Sequence, residues 1–311
     1  MSGPRVLMVA GTPRGLATVR LLQSRGVGLV GLVVMQEDDH EQTRSSTEIA
    51  AIGAEMGVPV TPARRLDDAA ARQLVEALAP ELVLVVGWRT LLPQVLLEQP
   101  RLGCVGVHDS PLPAYRGFAP VNWAVINGER RWAVSLFHLA EDVDAGDLVD
   151  QEWFDVPDRC TAPELYRAAT VATVAVVERQ LEALLAGTAP RTPQDHASAS
   201  YACARTPEDG KIDWTASTEV VDRLVRGLTW PYPGAWTTWK GQRLSVLEAE
   251  PVRPAASWVG RIPGRVVSIG ERSVDVLTGD GVLRVTTVAL DGEDPRSASS
   301  VVRSIKGSLG S

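Results

Sequence analysis

The stretch from Cys104 to Asp147 constrains this chain more than any other: CVGVHDSPLPAYRGFAPVNWAVINGERRWAVSLFHLAEDVDAGD. It begins with an apolar alternating run, Cys104 to Val107, that ends on His108 and passes into a Pro-rich loop, Ser110 to Gly117. Alternation closed by turn residues predicts a strand. An imidazole at the C-terminal tip of a strand sits where open α/β sheets place their ligand crevices. A second apolar run, Ala133 to Leu139, leads into a turn, Asp142 to Asp147, that contains Asp144. A His and an Asp on neighbouring strand ends form an oriented base, the carboxylate fixing the tautomer and holding the imidazolium. A lone His at a strand end more often satisfies a backbone group, so the pair has to be read with its surroundings.

Those surroundings are specific. H-x-S-x-L-P-x-x-R-G, then A-P-x-N-W-x-x-x-N-G-E, then D-A-G-D run from His108 to Asp147. These words resemble the 10-formyltetrahydrofolate-dependent N-formyltransferases, a family that includes methionyl-tRNA and amino-sugar formyltransferases. The family pattern is Asn-x-His with a later Asp. Its His falls on His108 and its Asp on Asp144, whereas its Asn position is Gly106; the chain's only asparagines, Asn122 and Asn127, lie downstream. The resemblance covers nearly the whole chain and is strongest between Gly103 and Asp147.

Composition bounds the partners. With 311 residues there is room for two domains, each with a core. The balance is acidic, 31 Lys and Arg against 38 Asp and Glu, a formal charge of -7. A nucleic-acid partner wants a basic face, so a small-molecule substrate and no nucleic acid are expected. No apolar run approaches a membrane span, and the opening MSGPRVLMVAGTP enters a strand without a signal-peptide pattern. Cys104, Cys160 and Cys203 have neither metal-ligand nor disulfide spacing. The expectation is a cytoplasmic monomer or homodimer, with no metal and with Cys104 as a small core residue.

Along the chain, strand, Gly turn, helix and strand follow one another from Arg5 to Val34. Gly11 and Gly15 do not make G-x-G-x-x-G, so a Rossmann-like scaffold is preferred to a dinucleotide site. Gln36 to Ser46 is acid-rich and reads as a solvated loop; helices follow over Thr47 to Met56 and Asp67 to Leu78. Leu82 to Val86 is a fully apolar strand, expected where both sheet faces are covered. Pro120 to Asn127 is a helix opened by Pro. Thr161 with Glu164 caps a helix reaching Leu185. Residues 189–205, rich in Pro, Ala, Ser and Thr, read as a linker between a catalytic domain over 1–188 and a second domain over 206–311. The second domain has a helix over Thr215 to Gly227, an aromatic turn from Trp230 to Trp236, and short β segments with Gly punctuation. It is expected to be a small OB-like open β-barrel. The Ser-rich tail after Asp291 reads as frayed. The fold class is therefore α/β, a mostly parallel Rossmann-like sheet followed by a β-barrel-like domain.

The resemblance implies formyl transfer from 10-formyltetrahydrofolate to an amine or hydroxylamine nitrogen, with a small metabolite as acceptor: an amino sugar, or an N-hydroxy amino acid of a specialised pathway. His108 would accept the proton, and Asp144 would orient and stabilise its charged form. Trp88, Arg89, Leu91, Ser110, Pro111, Leu112, Asp142 and Val143 would line the folate cleft, and Arg116 with Gly117 would meet the substrate or brace the loop. Asp109, beside the base, is expected to point outward. At Gly106 a lost oxyanion donor is worth about 2.7–4 kcal/mol of transition-state stabilisation. A water or substrate group that donates instead, an unusually nucleophilic nitrogen, and a repurposed cleft all stay open. A non-catalytic folate- or metabolite-binding protein and an NAD-dependent enzyme are the alternatives from other classes.

Overall fold

The computed structural model describes residues 3–37, 44–253 and 257–310. The middle of the acid-rich stretch, residues 38–43, lies outside them. In chain order the elements are β1 (Val6–Ala10), α1 (Thr12–Ser24), β2 (Leu29–Met35), α2 (Ser46–Glu55), β3 (Val60–Ala63), α3 (Asp68–Leu78), β4 (Leu82–Val86), α4 (Gln94–Glu98) and β5 (Cys104–His108). They continue with β6 (Arg116–Gly117), α5 (Pro120–Asn127), β7 (Arg131–His138), β8 (Leu148–Asp155), α6 (Ala162–Ala186) and β9 (Tyr201–Ala202). Last come α7 (Thr218–Leu228), β10 (Ala235–Trp239), β11 (Gln242–Val252), β12 (Val266–Ile269), β13 (Val274–Leu277), β14 (Val282–Leu290), β15 (Arg296–Ser297) and α8 (Ala298–Val301).

The chain divides into two compact units, one of residues 1–120, 131–155 and 167–202, the other of 121–130, 156–166 and 203–311. In the first, a seven-stranded sheet runs β3-β2-β1-β4-β5-β7-β8. The strands from β3 to β5 are parallel, while β7 is antiparallel to β5 and β8 to β7. The sheet is thus mixed rather than simply parallel. The link between β7 and β8 is too short for a crossover, so the chain can only return as a hairpin. Burial explains the composition: β1 and β4 (VLMVA and LVLVV) are covered on both faces and have no use for polar residues. The strand order reverses between β1 and β4, the topological position at which open α/β sheets place their ligand crevices, beyond the C-terminal strand ends. β5 delivers His108 to that same edge. A depression at the opposite edge, among Pro4, Arg5, Gly28 and Arg101, already has its charges occupied, since Glu81 takes both Arg101 and the Arg5 backbone N–H.

Residues 189–202, the first part of the expected linker, are built into this unit. Thr192 makes two backbone hydrogen bonds with Leu148, at 2.8 and 2.9 Å, and β9 pairs in parallel with β6.

In the second unit an antiparallel sheet runs β10-β11-β14-β13-β12, with β15 on β14. Its core includes Trp214, Val225, Leu244, Val274 and Leu283. The aromatic turn is shorter than the sequence suggests, because Ala235 to Trp239 forms β10. The tail is not frayed: Leu309 is buried, its N–H donates to the Gly264 carbonyl at 2.8 Å, and Gly310 donates to Thr238 at 2.9 Å. Ala298, Val302 and Leu309 are buried and anchor it. Among the described residues no helix is long and apolar enough to cross a membrane.

Candidate active site

β5 presents Gly106 and His108 on one face, two residues apart. The His108 side chain is 11% exposed and that of Asp144 is 18% exposed, and Nδ1 lies 3.5 Å from Asp144 Oδ2. The other ring nitrogen, Nε2, is 2.9 Å from the Tyr115 carbonyl. A carbonyl only accepts, so Nε2 carries the proton and the Nδ1 lone pair faces the Asp144 carboxylate. A proton arriving at Nδ1 would turn that contact into a charge-assisted hydrogen bond. Burial holds the His108 imidazole below the usual histidine range, opposed by Asp144 and the Tyr115 carbonyl and reinforced by Arg14. Burial thus favours the neutral form of the ring, with the Asp144 side chain beside it.

The loop after β5 is fixed from beneath. Ser135 Oγ donates to the Ser110 carbonyl at 2.6 Å and accepts from the Leu112 N–H at 3.0 Å. Gln151 Nε2 donates to the Leu112 carbonyl at 2.8 Å, Trp132 Nε1 donates to Asp109 O at 2.8 Å, and Ser110 Oγ donates to Ala114 O at 2.6 Å. The Ser110 and Leu112 side chains are buried, so they anchor the loop instead of lining a cleft, and only Pro111 is partly exposed.

Asp109 does not point outward. It forms an ion pair with Arg14, whose side chain is 12% exposed against 10% for Asp109. Arg14 stands in the first turn of α1, beyond β1, and so reaches a residue just past β5 across the end of β4. Neighbouring residues face opposite sides only while the strand lasts, and Asp109 is already past its end.

Beyond β4, Trp88 packs on the core around Leu96, while its Nε1 and the Thr90 hydroxyl are buried without a hydrogen-bond partner. Such orphaned donors are costly unless something accepts from them. Arg89, Leu91, Asp142 and Val143 are exposed. The β1–α1 turn offers no phosphate cradle: the Gly11 N–H is spent on the Val86 carbonyl at 3.0 Å, and the Gly87 backbone lies against Gly11.

The formyl transferase family matches residues 5–180, and the formyl transferase C-terminal domain matches residues 205–306. This chain belongs to the formyltransferase family. The methionyl-tRNA formyltransferase of Moorella thermoacetica is 36% identical over 258 residues, 83% of this chain and 80% of that protein. The one from Geobacter metallireducens is 30% identical over 300 residues, 96% of this chain and 94% of its own. HypX from Aquifex aeolicus, solved with tetrahydrofolic acid, gives a TM-score of 0.66 at 21% identity over 96% of this chain and 47% of that one. The N-formyltransferase from Helicobacter canadensis, solved with folinic acid and dTDP-3-aminofucose, gives 0.69 at 13% identity over 90% and 98%. Both structures share the fold. The resemblance carried by the words around His108 therefore holds, and the protein is a 10-formyltetrahydrofolate-dependent N-formyltransferase by family.

In this formyltransferase the space beside Gly106 is already filled. A Cβ at position 106 would come within 2.8 Å of Leu139 Cδ2. Leu139 follows β7 and donates its N–H to Cys104 O at 2.8 Å, which keeps it alongside β5. An apolar side chain stands where an amide would project.

Arg116 is not positioned to meet a substrate. It is 2% exposed, and its guanidinium donates to Gln194 Oε1 at 2.7 and 3.2 Å, to the Tyr201 hydroxyl at 3.2 Å, and lies 3.3 Å from His196 Nδ1. Gly117 lies beside the pair, its N–H donating to Asp144 Oδ2 at 2.8 Å. Arg14, Tyr115, Leu139 and Gln194 escape a reading from sequence alone. Cys104 is buried, and burial pushes its thiol well above the usual range, as suits a core residue.

Proposed function

We propose that this formyltransferase moves the formyl group of 10-formyltetrahydrofolate onto a nitrogen of a small amine or hydroxylamine, with His108 as the base and Asp144 as its partner. The observation that carries this is the His108–Asp144 pair, 3.5 Å apart at the C-terminal edge of the sheet. A nucleophilic nitrogen sheds a proton as its bond to the formyl carbon forms; His108 Nδ1 takes that proton and Asp144 stabilises the resulting charge. The same proton is then available to the folate nitrogen as its bond to the formyl carbon breaks. The donor supplies an activated formyl carbon and a leaving nitrogen. On the protein side, the partnerless Trp88 Nε1 and Thr90 hydroxyl suit a ligand edge rich in acceptors, and Arg89, Leu91, Pro111, Asp142 and Val143 would complete that wall.

A small acceptor follows from the acidic balance of the chain, -7 overall. The second reading, methionyl-tRNA, is favoured by the 36% identity to a protein of that name. Incubating the protein with 10-formyltetrahydrofolate and parallel panels of amino sugars, N-hydroxy amino acids and methionyl-tRNA decides between them by a mass gain of one formyl. Formylation of the tRNA alone would discard the small-acceptor reading, and a formyl on none of them would discard both.

A further inference from the structure

The turn that carries Asp144 is held by a side chain from a stretch that reads as linker. Asp144 has φ 53°, left-handed backbone that an L side chain adopts only at a cost. Such a conformation persists when its surroundings over-determine it. Gln194, itself buried, donates from Nε2 to the carbonyls of Asp144 at 2.9 Å and Gly146 at 2.7 Å. Through Oε1 it accepts from Arg116 Nη2 at 2.7 Å and Nε at 3.2 Å. Arg116 precedes Gly117, the residue whose N–H holds Asp144 Oδ2. A single amide thus ties the backbone of the Asp144 turn to the strand that grips the Asp144 carboxylate. On one side of Gln194 the chain is secured at Thr192 against Leu148, and on the other by β9 against β6.

We propose that Gln194 is a positioning residue for the His108–Asp144 pair, and that residues 192–202 are a working part of the active site. Gln194 suits this because both ends of its amide are used, one as acceptor for a buried cation and one as donor to two carbonyls of a strained turn. A side chain needed only for packing would not have to supply both.

The role rests on the proposed reaction for its effect on turnover, but not for its effect on His108. Three groups act on that imidazole: Asp144 from the turn, Arg14 from α1 (paired with Asp109), and the Tyr115 carbonyl. Gln194→Met leaves the last two in place and releases the first. Since Asp144 favours the charged imidazole, its displacement should lower the His108 pKa further, read by NMR titration of the ring. The kcat for formylation should fall by about a hundredfold, the loss that follows a misplacement near 1 Å, while folinic acid affinity stays close to wild type. Gln194→Glu keeps the acceptor for Arg116 but cannot donate to the two carbonyls, so it should fold and lose turnover as well. Gln194→Asn replaces Gln194→Met in both readouts if the latter does not fold. Wild-type kcat in Gln194→Glu, or an unchanged His108 titration in Gln194→Met, would overturn the proposal. Absence of formyl transfer by the wild-type protein would count against the reaction, and the titration would still decide the role of Gln194.

Discussion

Gly106 and His108 occupy the same face of β5, yet their surroundings are built on opposite terms. Around His108 the ring nitrogens meet polar, directed partners: the Tyr115 carbonyl on one, Asp144 on the other, and the Gly117 N–H behind Asp144. Around Gly106 the neighbour is the Leu139 side chain. On the proposed reading, the polar pair would handle the proton, while the family's Asn position is a glycine packed against an apolar side chain. The two are separable in this architecture because different elements supply their surroundings. The base depends on loops that meet at the sheet edge, and position 106 depends on one side chain within the sheet.

The largest effect expected on the polar side comes from His108→Ala. Turnover should drop by about 10²–10⁴-fold with little change in folate affinity, since proton transfer matters in the transition state. Single-turnover formylation beside folinic acid titration measures both. Retention of a tenth or more of the activity would remove His108 from the mechanism.

Asp144→Asn should lie at the lower end of that range, about a hundredfold in kcat. It also predicts a direction. Asp144 raises the His108 pKa, so its loss lowers that pKa, and activity, which needs neutral His108, should persist to lower pH. An acid limb that stays put would uncouple the two residues.

The apolar side is tested by restoring the amide. Gly106→Asn alone meets Leu139 and should lower turnover. Gly106→Asn with Leu139→Ala makes room, and a donor there should recover part of the 2.7–4 kcal/mol or so that such a group can contribute. A gain of about tenfold over wild type is expected with simple hydroxylamine as acceptor, preorganisation being incomplete. No difference between the single and double variants would mean that position 106 does not face the reacting carbon.

Arg14 gives the smallest effect. It lowers the His108 pKa, so its removal should raise that pKa and move the acid limb to higher pH, opposite in sign to Asp144→Asn. Arg14→Met with Asp109→Asn is the informative form, because a lone buried carboxylate is strongly destabilising. The pH–rate profile reads the shift.

Much of this was legible in the chain. The apolar runs of β1, β4 and β5 set the sheet, and the words from His108 to Asp147 set the family and pointed to the two residues, His108 and Asp144, that the fold brings together. Asp109 was misread because side-chain alternation was carried past the end of β5. Ser110 and Leu112 were taken for cleft residues because a motif names residue types and not the direction in which they face; both are buried in the loop. For Arg116, bracing and substrate contact were both open, and its bonds to Gln194 fit bracing.

The local pattern of the sequence determined which segments become strands and helices, and it placed a His and an Asp at their ends, because periodicity and turn chemistry act over a few residues. Only the tertiary structure decided that Gln194 closes on the Asp144 turn, that Leu139 fills the place beside Gly106, and that Arg14 reaches Asp109. These contacts join residues 33 to 95 positions apart. Nothing in the composition of either partner marks the other, since a hydrogen bond or a van der Waals contact is specified by where the folded backbone brings two groups.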